Sequence, residues 1–183
     1  MTSRFALALL SLLLAAPALA QAVVDSSLSD LNGDGLRERF TLLHYPGADT
    51  VDLIVEDTGT GRVTARDIAW TGGIGQQPDI DVAPNGSIRL HSRNESIGRN
   101  RWVQTLTIAY RDGAYRVAGF TYEFYDTLNP DAAGSCDLNL LTGRGFVTRG
   151  PGPKKTIAHD VAARRVTDWR ESDPIPEICR PWE

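Results

Sequence analysis

The sequence predicts a mainly β protein: one antiparallel β domain, a meander or sandwich of about eight strands, with little helix outside the N-terminal segment. Three observations lead there. Residues 102–110 and 115–125 alternate with period two around the turn dipeptide Asp112-Gly113. Asn85-Gly86 marks a second hairpin between two short apolar runs. β-Branched and aromatic residues dominate these runs, as a pleated, half-buried surface prefers.

In chain order, residues 40–45 form a first short run, ended by Pro46-Gly47. Residues 51–56 place Val51, Leu53 and Val55 on one face, and Asp57 to Gly61 read as a turn before a partner strand over 62–70. Residues 80–82 and 88–91 flank Asn85-Gly86. In the central hairpin Trp102, Leu106, Ile108 and Tyr110 share one side of the first strand; Ala118, Phe120, Tyr122 and Phe124 share one side of the second, with a bulge expected at Gly119. The chain loosens at Asn129-Pro130 and tightens over 137–141, where Leu138 and Leu140 face the core. Gly143 and Gly145 bracket a turn, and Gly150 to Pro153 form a rigid loop. Residues 155–167 carry no single pattern, with one or two helical turns or a final strand expected over 158–165, and the Pro-rich tail from Arg170 reads as an irregular segment lying on the body. There is no 20–50-residue repeat, so one domain over 21–183 is the economical reading.

The N-terminus carries an export pattern. Arg4 precedes an apolar run over 5–16, Pro17 breaks it, and Ala18-Leu19-Ala20 fits a cleavage site, with Ala20-Gln21-Ala22 as an alternative. The run is about 12 residues, short of the ~18–20 needed to span a bilayer. Residues 1–20 are therefore expected to be a cleaved signal peptide, and the mature chain to be periplasmic or secreted with no membrane span. No Cys follows the cleavage region, which argues against a lipoprotein. A net charge of −4 with scattered Arg argues against a nucleic-acid partner. Cys136 and Cys179 make an even count in an exported chain, so a disulfide is expected. It would tether the C-terminal tail.

The sharpest local signal is residues 30–38, Asp-Leu-Asn-Gly-Asp-Gly-Leu-Arg-Glu. Side-chain oxygens stand at positions one, three, five and nine, as Asp30, Asn32, Asp34 and Glu38; Leu36 offers its backbone carbonyl at position seven. Gly35 permits the sharp turn that points the oxygens inward. A set of hard oxygens without His or Cys suits calcium rather than zinc, in a structural role. The helix-loop-helix template asks for Glu at position twelve, where Thr41 stands, and the flanks are strand-like.

The loop resembles the calcium loops of FG-GAP and VCBS-type repeats found in exported bacterial proteins. That resemblance implies ligands at positions one, three, five and nine with a main-chain oxygen at seven, which Asp30, Asn32, Asp34, Glu38 and Leu36 occupy. It covers about a dozen residues and one copy. The propeller fold and adhesive role of the repeats are therefore not implied.

Weaker constellations remain. Residues 72–77 are Gly-rich but lack the Lys and helix of a phosphate loop, which leaves a flexible surface loop. Arg99, Arg101 and Trp102 offer an anion or sugar contact, against the plainer reading of a solvated loop and a core Trp. Asp79 with Asp81, and Glu123 with Asp126, are candidate carboxylate pairs for a hydrolase. A catalytic Cys would need His44, His91 or His159 beside it. The leading expectation is an exported calcium-binding module acting on a protein or an envelope polysaccharide. The alternatives are a periplasmic hydrolase and a periplasmic inhibitor or immunity-type protein.

Overall fold

The computed structural model describes residues 21–181 apart from Thr60. The expected signal peptide, residues 1–20, lies outside the described residues. Two antiparallel sheets carry the fold, each a meander in which chain neighbours pair. The smaller sheet contains β1 (Ala22–Ser29), β2 (Glu38–His44), β3 (Thr50–Asp57) and β4 (Gly61–Trp70). The larger contains β5 (Asp79–Val82), β6 (Ile88–Asn94), β7 (Asn100–Arg111), β8 (Ala114–Asp126), β9 (Asn129–Asn139), β10 (Arg144–Arg149) and β11 (Lys155–Ala158). The helical content among the described residues is two 3-10 turns, Val166–Asp168 and Glu177–Cys179.

Alternation decides which side each strand buries. Phe40 and Leu42 of β2, with Val51, Leu53 and Val55 of β3, meet Leu90, Leu106, Ile108, Phe120 and Leu138 of the larger sheet in one core. β3, an inner strand of its sheet, is buried on both faces over 51–55. The sheets also adjoin at their edges. The Ile80 backbone N–H donates to Asp25 Oδ2 (2.9 Å), and the Ser29 hydroxyl donates to the Gly86 carbonyl (2.7 Å). These side-chain bonds join β1 to the β5–β6 hairpin, where β1 is bulged at Val23/Asp25.

The central hairpin follows the predicted pattern. Asp112 and Gly113 both take positive φ, +52° and +70°, as a two-residue turn between twisted strands requires. The register of β7 on β8 slips beside Gly119, between Thr107 and Ile108, so the expected bulge lies there. Ala118 is the extra residue, and Val117 takes its place on the core side.

Three strands exceed the expected set. β1 is polar and half-exposed, so it lacks the alternation that marks a strand. The first half of β9 contains Pro130, Ala132, Ala133 and Gly134, poor strand formers held by the ladder of the long β8. Gly134 is needed there: a Cβ would stand 2.6 Å from the Phe124 ring. Gly145 does not bracket a turn but lies within β10, where a Cβ would meet the Asp137 carbonyl at 2.4 Å. The last strand lies over Lys155–Ala158, ahead of the expected 158–165 stretch, which forms neither helical turns nor a strand of its own.

The tail is fastened to the body as expected, with contacts to both sheets. Cys136 of β9 and Cys179 are bonded, with Cα atoms 5.3 Å apart, and both are fully buried. Val166 and Trp169 are buried, Trp169 against the Phe120 ring, and the Glu171 N–H donates to the Asp67 carbonyl of β4.

Candidate metal centre

The loop of residues 30–38 connects β1 to β2 at one end of the smaller sheet. Its shape follows from its own side chains. Asp30 accepts the N–H of Gly33 (2.9 Å) on Oδ1 and that of Gly35 (3.0 Å) on Oδ2. Asn32 Oδ1 accepts the Asp34 N–H (2.9 Å), and Asp34 Oδ1 accepts the Leu36 N–H (2.8 Å). Each short polar side chain thus bonds the backbone two to five residues ahead and curls the loop. Gly33 and Gly35 both take positive φ, +78° and +87°, a conformation that L side chains rarely adopt.

Glu38 closes the ring from below. It is the first residue of β2, only 2% exposed, and its Oε2 accepts the Leu31 N–H at 2.7 Å. Its Oε1 accepts the Asn32 backbone N–H at 3.4 Å. One carboxylate oxygen from each of Asp30, Asp34 and Glu38 lies within 4.8 Å of the others. An ion held at 2.3–2.6 Å allows its ligand oxygens to stand up to about 5 Å apart, so the three fit around one hard cation. Carboxylates at such distances repel by ~1 kcal/mol per pair in water and by more in a less polar surrounding. Among the described residues no Lys or Arg pairs with any of the three.

A fourth carboxylate joins from β3. Asp57 is 5% exposed and ends β3, where the β2–β3 register sets it beside Glu38. Asn32 Nδ2 bridges Asp34 Oδ2 (3.2 Å) and Asp57 Oδ2 (3.3 Å). Tyr115 of β8 donates its hydroxyl to Asp57 Oδ2 at 2.6 Å. Burial, together with the charges of Asp57 and Glu38, holds that phenol far above its ordinary pKa, so it stays a donor. Asp57 was legible only as a turn residue, since strand pairing, not sequence spacing, brings it to the loop. Leu36, the expected main-chain ligand, is an exposed loop residue between Asp34 and Glu38.

The other candidates are dispersed. Asp79 pairs with Arg93, and Asp81 with Arg89 at 2.6 Å. Asp126 is buried in a two-point contact with Arg99, which holds its carboxyl below the usual range. Glu123 is exposed on the opposite face of β8. Both cysteine sulfurs are in the disulfide, so neither can serve as a nucleophile beside a His. His44, His91 and His159 contact Ala48, Thr105 and Arg144 respectively. The Gly-rich loop lies at the surface, with Ile74 exposed, and is tied down at Gln76, which is buried and whose Oε1 accepts the N–H groups of Glu95 (2.7 Å) and Ser96 (3.0 Å).

The fold and loop together define a two-sheet β domain with an acidic, oxygen-lined turn. Comparison with protein-family models, curated proteins and solved structures finds no match to this chain.

Proposed function

We propose that this chain is an exported β domain whose 30–38 loop binds calcium as a structural ion. It works as a binding or structural module in the periplasm or cell envelope, with a protein or an envelope polysaccharide as partner. The observation that carries the metal is the convergence of Asp30, Asp34 and Glu38 within 4.8 Å. Asp57 adds a carboxylate beside them, while Asn32 turns its Nδ2 toward Asp34 and Asp57 and its Oδ1 toward the Asp34 N–H, so its amide would have to rotate to ligate the ion. The resemblance to FG-GAP and VCBS-type loops supports the same ligand set. Export is supported by the N-terminal pattern and by a disulfide that suits an oxidising compartment. No helix among the described residues is long and apolar enough to cross a membrane. The hydrolase alternative draws little support, because its Asp members are held by Arg side chains.

Calcium titration against the melting temperature tests this reading. A ligand that binds only the folded state at 100 times its Kd adds about 2.7 kcal/mol. Millimolar calcium should raise the melting temperature of chelator-treated protein by several degrees, and Asp34→Ala should remove the rise. A melting temperature indifferent to calcium would take the metal out of the account.

A further inference from the structure

A second polar group sits far from the loop, in a cleft of about 200 Å³ between the larger sheet and the tail. Its floor is the inner face of β7 and β8: Trp102, Gln104, Phe120 and Tyr122. The opposite wall is tail segment 169–176, which brings Trp169 and Glu171. Trp102 and Tyr122 stack at 6.0 Å, and Phe120 stacks on Tyr122 at 6.1 Å. Glu171 enters this aromatic surround with one side-chain partner, Gln104 Nε2 at 3.3 Å, and a backbone bond from Trp70.

Within the cleft, Glu171 is the carboxylate without an ion-pair partner. Among the described residues no Lys, Arg or His forms an ion pair with Glu171. Arg170 lines the cleft, but its Nη1 is spent on the carbonyls of Thr167 and Trp169, both at 2.7 Å. Asp173 is balanced by Arg164 at 2.8 Å. Asp49 and the Tyr122 phenol are the other titratable groups that face Glu171, and neither brings positive charge. Burial is the main cause that pushes the Glu171 carboxyl up to about 7. A carboxylate without an ion-pair partner in an aromatic-lined cleft is costly to keep charged when the cleft is empty, and a bound cation would offset that cost.

We propose that the cleft between β7–β8 and the tail binds a monovalent organic cation, an alkylammonium or guanidinium group, with Glu171 as its counter-ion and the Trp102–Tyr122 aromatics as its floor. The cleft volume suits one such head group with a short alkyl stem. Gln104 holds the carboxylate in place from the strand side. The site is independent of the calcium loop, so its test is run with a chelator present.

The test is a titration of the whole protein at pH 8, followed by its tryptophan fluorescence, with n-butylguanidinium and its neutral analogue n-butylurea. Butylguanidinium should bind saturably and at least about tenfold more tightly than butylurea. Glu171→Gln, which keeps the shape and removes the charge, should lower that affinity by about tenfold or more while the protein still melts cooperatively. Wild-type affinity should fall similarly at pH 5.5, where most of the carboxyl is protonated. A doubly blocked arginine binding more tightly than butylguanidinium assigns the natural cation to a protein side chain; its exclusion assigns a free small cation. Equal binding of butylurea, unchanged affinity in Glu171→Gln, or no saturable binding of butylguanidinium would each overturn the proposal.

Discussion

Replacing both Cys136 and Cys179 with Ala should destabilise the protein by ~4 kcal/mol, the chain-entropy value for the loop this bridge closes. That is a large share of the 5–15 kcal/mol typical of a domain. Without the bridge, the tail is held by the burial of Val166 and Trp169, by the hydrogen bond from Val117 to Arg164, and by Arg149 donating to the carbonyls of Ile178 and Arg180. Such contacts keep the tail docked in the native state but do nothing to restrict the unfolded chain. The expected result is a clear fall in the urea midpoint. Trp169 should remain in its buried environment below the transition. A midpoint that barely moves would mean that the unfolded chain is already restricted, or that the bridge strains the fold.

Glu38 is the second position with a large expected effect. Its carboxylate is buried and accepts the Leu31 N–H at 2.7 Å. Glu38→Ala leaves that donor without its acceptor and opens space under the loop, which should destabilise by about 2–4 kcal/mol even without calcium. Glu38→Gln keeps an oxygen for Leu31 and nearly the same volume, so it should cost less than about 1.5 kcal/mol in chelator. Both variants should lose the calcium-dependent rise in stability. Urea unfolding of each, with chelator and with calcium, separates the two roles. If Glu38→Gln keeps the full calcium response, Glu38 shapes the loop without serving the ion.

The hairpins were legible in the sequence because local chemistry decides them. Asp112-Gly113 and Asn85-Gly86 carry their turns, and alternation sorts Trp102, Leu106 and Ile108 inward. β1 and the start of β9 were not legible, since a neighbour's hydrogen-bonding edge stabilises them more than their own residues do. The acidic loop could be read for the same reason as the hairpins: its ligand residues are also the residues that curl its backbone. Asp57, Tyr115 and Glu171 reach their sites from elsewhere in the chain, across 25, 58 and 67 residues from the partners they contact. No spacing rule finds such pairs. The one available signal was Asp57-Thr58-Gly59, a turn at a strand end, and it points equally well to a plain turn.

The calcium loop is tested most directly by calorimetric titration of calcium into chelator-treated protein at neutral pH. The account predicts uptake of one ion per chain, much weaker uptake of magnesium at the same concentrations, and loss of calcium binding in Asp34→Ala. A flat calcium titration of the folded protein, or uptake that Asp34→Ala leaves intact, would contradict it.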